Sequence, residues 1–321
     1  MFIFVAMQQI TNTILMIRPA SFRANEETIS TNFFQKKVPS AVSINQRAQE
    51  EFDSLVSLLR GVGVKVIIIE DELKNDTPDA LFPNNWVSFH TDGTVGLYPM
   101  LAENRRRERR QEILDHLIHL GYYVQKVIDY SFFENENFFL EGTGSLILDR
   151  INRKAYCALS SRSLEQPLIE FCKDFDYIPV AFKANQTVER ERKPIYHTNV
   201  LLTIGETFAV VCLESIDDLN ERDFVSKSLR NDGKELICIS EDQVNSFAGN
   251  MLQVKGARGK SYLVMSDKAK QSLSNNQLGK LEEHASLISS SLDTIETYGG
   301  GSARCMMAEV FLPIKEQNIN S

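Results

Sequence analysis

Residues 144–180 read GSLILDRINRKAYCALSSRSLEQPLIEFCKDFDYIPV, and the succession of patterns in this stretch decides the fold. Gly144 to Asp149 and Ala155 to Leu159 are short apolar runs on either side of a polar turn, which predicts a hairpin. From about Ser163 to Asp174 the apolar residues recur at helical spacing. Tyr177 to Val180 is strand-like again. The unit is strand, strand, helix, strand.

The same order recurs on both sides. Asn85-Trp-Val-Ser-Phe-His90 and Val95-Gly-Leu-Tyr98 flank the turn Thr91-Asp-Gly-Thr94, and a helical pattern from Asn104 to Leu120 leads into Tyr123 to Val127. Thr198 to Ile204 and Phe208 to Cys212 precede a helix near Ile216 to Arg230 and the run Glu235 to Ile239. Asn250 to Val254 and Ser261 to Met265 precede helices within Asp267 to His284. A fifth copy fits Thr13 to Ile17, a helix over Gln46 to Leu59, and Lys65 to Ile69. A repeat of about 55 residues, each copy one small sheet and one covering helix, predicts an α/β fold of five ββαβ blades around a central axis. Equivalent positions of such an array converge on that axis.

Composition agrees with this reading. The 321 residues are 43% hydrophobic and 24% charged, enough to bury a sizeable core. A net charge of −8 argues against nucleic acid as a partner. The basic run Arg105 to Arg107 with Arg109 and Arg110 is interleaved with Glu103, Glu108 and Glu112, and reads as a solvated helix face. No stretch approaches the roughly 20 apolar residues of a membrane span, and Met1 to Ala6 is too short for a secretory signal. Five cysteines without a CxxC pair predict neither a zinc ribbon nor a disulfide framework, and point to a reducing, cytoplasmic setting. HExxH, P-loop and dinucleotide fingerprints are absent, so no metal or organic cofactor is expected. The expected partner is a small molecule, with a homo-oligomer left open.

Asn85, Glu141, His197, Asn250 and Cys305 stand at the mouths of successive hairpins, 56, 56, 53 and 55 residues apart. A thiol, an imidazole and a carboxylate facing one another across an axis are a nucleophile, a base and an orienting group. Cys305 follows the glycine-rich run Tyr298-Gly-Gly-Gly-Ser302, where backbone can approach a ligand closely. The other four cysteines sit inside apolar runs and read as buried structural thiols. His90, His116, His119 and His284 lack the repeat register that singles out His197.

These residues resemble the guanidino-group-modifying (pentein) superfamily of arginine deiminases, dimethylarginine dimethylaminohydrolases and arginine amidinotransferases, and within it the citrulline-utilisation hydrolases. The likeness runs from Met16-Ile-Arg-Pro19 to Phe311. It implies a five-bladed propeller, here an N-terminal extension over residues 1–15 and one catalytic domain over 16–315. It implies Cys305 as nucleophile, His197 as acid and base, and Glu141, in Glu-Gly-Thr-Gly144, as the histidine's partner. Asp79 to Asn85, containing Phe82, matches the substrate-binding segment. Arg106 (or its neighbour Arg105) and Arg162 match the arginines that hold a substrate carboxylate, with Asp79 on the α-amino group.

Where the family usually has guanidinium-binding acids, this chain has Asn85 and Asn199, and Gly144 replaces a further aspartate. A guanidinium favours carboxylates. A neutral ureido group carries a carbonyl oxygen that amides can serve. The expectation is hydrolysis of citrulline through an S-carbamoyl intermediate on Cys305. Amidino transfer, arginine deimination and a non-catalytic binding propeller are the alternatives.

Overall fold

The computed structural model describes residues 8–35 and 44–315. Five three-stranded sheets share one plan: an antiparallel hairpin whose second strand pairs in parallel with a third. In chain order from the second unit, the strands are Val87–Phe89, Thr94–Leu97 and Lys126–Asp129; Ile147–Asp149, Lys154–Ala158 and Ile178–Phe182; Leu202–Ile204, Phe208–Val211 and Glu235–Cys238; and Leu252–Lys255, Ser261–Ser266 and Ser286–Ser290. The remaining sheet joins both ends of the chain: Thr13–Arg18 pairs in parallel with Lys65–Glu70 and antiparallel with Ala308–Glu309. The fifth copy thus takes its hairpin partner from about 300 residues away, which a repeat read along the chain does not reveal. A further hairpin, Asn185–Val188 with Glu191–Pro194, lies outside the five sheets.

Each parallel crossover carries a helix, as the geometry of parallel strands demands. Ile44–Gly61 buries Ile44, Ala48, Phe52, Leu55, Val56 and Leu59, one stripe at helical spacing. Leu219–Asn231 is capped by Asp218, whose side chain accepts from the backbone N–H groups of Asn220 and Glu221. The central strands are apolar on both faces; Phe208–Val211 is wholly buried between its helix and the neighbouring sheets. First strands of adjacent sheets touch: Ile147–Asp149 lies against Leu202–Ile204, which lies against Leu252–Lys255, and Ala308–Glu309 lies against Val87–Phe89.

Three expectations change. The strand Thr13–Arg18 begins before residue 16, and Gln9 and Thr11 hydrogen-bond to the carbonyls of Leu148, Ile204 and Val310, so ordered structure starts ahead of the expected domain. Met1 to Ala6 lies outside the described residues. The helix expected over Asn104 to Leu120 is a short turn, Glu103–Arg106, and a separate helix, Gln111–His119. Most instructive, the hairpins do not begin at their polar residues. Pro83–Asn85, Gly142–Ser145, Thr198–Val200 and Ala303–Met306 are tight helical turns, and extended backbone starts one or two residues later. A single such turn lets a side chain point along the axis instead of alternating across a sheet face.

Candidate active site

Those turns assemble the site. The turn ending at Asn85 touches the turns that follow Glu141 and that contain Cys305, and the turn after Glu141 touches the one after His197. They surround a small pocket lined by Asn32, Asp79, Phe82, Asn85, Arg105, Arg162, Tyr196, His197, Gly299, Gly301 and Cys305.

Cys305 is buried, and its Sγ receives the Asn250 Nδ2 amide at 3.2 Å and the Asn199 Nδ2 amide at 3.3 Å. Burial pushes the thiol up from its ordinary value, and the two amides pull it down without reversing the shift. Asn250 is fixed in turn, because its Oδ1 accepts from the Arg304 N–H and its Nδ2 also reaches the Asn199 carbonyl. Asn199 Oδ1 has no partner among the described residues.

His197 Nε2 lies 2.8 Å from Glu141 Oε2. Nδ1 lies on the Gly144 side of the ring, with the Asn85 amide close by: a side-chain carbon at Gly144 would stand 2.4 Å from Asn85 Nδ2 and 2.8 Å from His197 Nδ1. Any side chain there would have to displace the Asn85 amide and the imidazole. Glu141 is fully buried, accepts from the Leu101 N–H at 3.0 Å, and lies 3.6 Å from Arg162 and 4.0 Å from Arg105. Burial alone would raise its carboxyl; Arg162, His197 and Arg105 outweigh it and hold the group at about 2. Burial takes His197 down to about 4, against the upward pull of Glu141. At neutral pH the pocket therefore holds a carboxylate, a neutral imidazole and a protonated thiol.

Of the two neighbouring arginines, Arg105 lines the pocket and Arg106 does not. Arg105, 2% exposed, enters the pocket: it forks onto Glu108 at 2.8 and 2.9 Å, donates to Asn85 Oδ1 at 2.9 Å and lies 3.7 Å from Asp79. Arg106 turns away to the Met100 carbonyl and Glu134. The basic run is consequently not a solvated face throughout. Glu108 is 3% exposed, and burial pushes it up to about 7 in spite of Arg105. Arg162 also lines the pocket, held by the Thr28 carbonyl and Thr31 Oγ1 with its guanidinium over the Tyr196 ring. Asp79 is buried; its Oδ2 accepts from Asn25, and its Oδ1 has no partner among the described residues. Phe82 packs its ring against Gly299 and Gly301, where any side chain would collide with it.

Sequence reasoning gave no role to Asn250, although the repeat period marked it, nor to Glu108, whose signal is its i,i+3 spacing from Arg105. Asn25, Thr28, Thr31 and Asn32 belong to a segment outside the repeat, so no periodicity could find them. Among the described residues, no group of three or more His, Cys, Asp or Glu could hold a metal ion, and no helix is long and apolar enough to cross a membrane.

This fold, with a cysteine, histidine and glutamate meeting at its centre, defines the guanidino-group-modifying, or pentein, superfamily. The family described as N,N dimethylarginine dimethylhydrolase, eukaryotic, matches residues 18–312, and the chain belongs to it. Membership makes the protein an enzyme of amidine-type substrates. No curated protein matches the chain. Among solved structures, the arginine dihydrolase ArgZ of the cyanobacterial ornithine–ammonia cycle is similar over 95% of this chain, with a TM-score of 0.73 and 18% identity. The chain spans 41% of the length of that ArgZ structure. It spans 99% of ArgZ's N-terminal domain, solved as a variant bound to substrate, with a TM-score of 0.72 and 17% identity over 94% of this chain. A dimethylarginine dimethylaminohydrolase variant, captured as an adduct with S-methyl-L-thiocitrulline, has a TM-score of 0.63 and 14% identity over 94% of this chain. At these identities the likeness is one of fold.

Proposed function

We propose that the five sheets are the blades of one propeller and that its pocket hydrolyses a ureido α-amino acid, citrulline, to ornithine, carbon dioxide and ammonia. One observation carries the choice of a ureido group: the side chains touching the nucleophile's sulfur are amide donors, not carboxylates. Attack on a ureido carbon places negative charge on its oxygen, and preorganised N–H donors stabilise such charge where it develops. Attack on a cationic guanidinium would call for carboxylates at the same place.

In this reading Cys305 loses its proton to His197 as it adds to the ureido carbon. The imidazolium, stabilised by Glu141, returns the proton to the departing amine nitrogen and leaves an S-carbamoyl cysteine. His197 then takes a proton from water, the hydroxyl displaces the thiolate, and the carbamate released decomposes to carbon dioxide and ammonia. Arg162 and Arg105 receive the α-carboxylate, and the free Oδ1 of Asp79 receives the α-ammonium group. A reducing, cytoplasmic setting suits this chemistry, and the five cysteines are free thiols.

A second reading rests on the unpartnered acceptors Asp79 Oδ1 and Asn199 Oδ1, which would suit an all-donor guanidinium. Its substrate is arginine, the molecule acted on by the dihydrolase of the same fold. One assay separates the two: ammonia and ornithine are counted for the purified protein with citrulline or arginine. The proposal expects one ammonia per ornithine from citrulline and no turnover of arginine. Two ammonia per ornithine from arginine, with citrulline also consumed, is the dihydrolase outcome. Arginine turnover with citrulline untouched overturns the ureido reading.

A further inference from the structure

Glu296 is a buried carboxylic acid outside the substrate pocket. It lies in the helix Asp293–Gly299 and is 2% exposed, and its Oε2 has no hydrogen-bond partner among the described residues. Ser266 also acts on the carboxyl, but without a hydrogen bond to Oε2, and burying a carboxyl oxygen in that state costs free energy. Glu296 Oε1 accepts from Ser302 Oγ at 2.6 Å. Ser302 immediately precedes the turn Ala303–Met306, and its carbonyl accepts from the Cys305 N–H at 3.0 Å. The backbone carbonyl of Glu296 accepts from the Gly300 N–H at 3.1 Å. One residue therefore pins both ends of the glycine bend that leads to the nucleophile. The bend has little slack: Gly300 is left-handed at φ 63°, and a side-chain carbon at Gly301 would lie 2.9 Å from the Phe82 ring and 3.3 Å from Cys305 Cβ.

We propose that Glu296 is a positioning residue for the nucleophile, its ionised carboxylate holding Ser302 so that the glycine bend presents Cys305 to the pocket. The proposal rests on the reading of Cys305 as nucleophile. The polar groups facing the carboxyl are Ser302 on the bend, Ser266 and Lys268 from the neighbouring strand and helix, and Asp293 on its own helix. Glu51, from the helix Ile44–Gly61, accepts from the Thr294 and Ile295 N–H groups at the start of the same helix. Burial outweighs Ser266, Ser302 and Lys268 and pushes Glu296 up to about 6. On protonation the bond to Ser302 loses its charge assistance and weakens. His197, held at about 4, is already neutral in this range, and Glu108, which titrates near neutrality, is tied to Arg105.

The test needs no substrate. Alkylation of Cys305 by iodoacetamide is followed on the Cys305 peptide by mass spectrometry, between about pH 5 and pH 8, in the wild type, Glu296→Gln and Ser302→Ala. Thiolate supply gives every form the same slope of about tenfold per pH unit. On top of it the wild type is expected to lose a further fivefold to tenfold, roughly, in a step near pH 6, the difference between a charge-assisted and a neutral hydrogen bond. Both variants should lack the step and react at pH 8 about fivefold to tenfold more slowly than the wild type. An unchanged step in both variants, or wild-type reactivity of Glu296→Gln at pH 8, overturns the proposal. If Glu296→Gln does not fold, Ser302→Ala, which removes a single hydroxyl, decides. Turnover of citrulline by Cys305→Ser would sink the nucleophile reading instead, which the alkylation profile does not address.

Discussion

Glu141→Gln keeps the shape of the side chain and removes its charge. In the native protein that charge sits 2.8 Å from His197 Nε2, 3.6 Å from Arg162 and 4.0 Å from Arg105. The carboxyl is held at about 2 against a reference of 4.5. A gap of that size converts to about 3 kcal/mol of preference for the ionised, folded state. Removing one partner from a buried charge cluster typically costs a similar amount, about 3–5 kcal/mol. Urea unfolding at pH 7, read by the single tryptophan, Trp86, should therefore show the variant about 3 kcal/mol less stable. The gap should depend on pH with a definite sign. Glu141 is depressed, so its contribution is complete above about 4.5 and fades as pH falls towards about 2. His197 is also depressed, so the unfolded chain takes up a proton that the folded one refuses between about 6.5 and 4. The wild type loses stability through both windows, and the variant lacks the lower one, so the two curves converge on acidification. Equal stability at pH 7, or a gap that does not narrow below pH 4.5, would refute this account of the cluster.

Cys305→Ser should retain less than about one per cent of wild-type turnover, as removal of a nucleophile does, while calorimetry still detects substrate binding; higher activity would take the nucleophile's role from Cys305. Arg105→Ala should raise KM by roughly tenfold to a hundredfold, the worth of a charged hydrogen bond, whereas Arg106→Ala should change it less than about twofold. Equal effects at the two positions would return Arg106 to the site. Gly144→Ala should lower kcat more than about tenfold without unfolding the protein, because the new methyl would stand 2.8 Å from His197 Nδ1 and displace the imidazole. A variant with wild-type kcat would mean that this ring position is not needed.

The repeat was legible because hairpin, helix and strand leave different periodicities, and the common period then equated Asn85, Glu141, His197, Asn250 and Cys305 before any contact was known. Local geometry at those positions was not legible. A one-turn helix followed by a short strand has too few residues to show a period of its own, so four of the hairpins are expected two to four residues early. The choice between Arg105 and Arg106 fell the same way: with the helix broken after Arg106, extrapolating a continuous helix face could not say which guanidinium turns inward. Burial of Arg105 with Glu108 depends on Asp79 and Glu141 from distant segments, and a run of mixed charges looks solvated until they are in place. Asn25, Thr28, Thr31 and Asn32 approach the pocket from a non-repeating stretch, which no internal comparison can locate.

Ala308–Glu309 begins three residues after Cys305 and pairs with Ile14 and Leu15, so the proposed nucleophile sits beside the strand pair that joins the first sheet strand to the last. Contacts of such sequence separation are among the slowest to form. A nascent or partly folded chain can hold the Glu141–His197 pair, which is local to adjacent repeats, without a thiol beside it. In the proposed mechanism the site is therefore complete only once these two distant strands have paired. A circular permutant opened between two other sheets would have to knit its new seam elsewhere, and the moment at which activity appears during refolding would then separate from the pairing of Ala308 with Leu15.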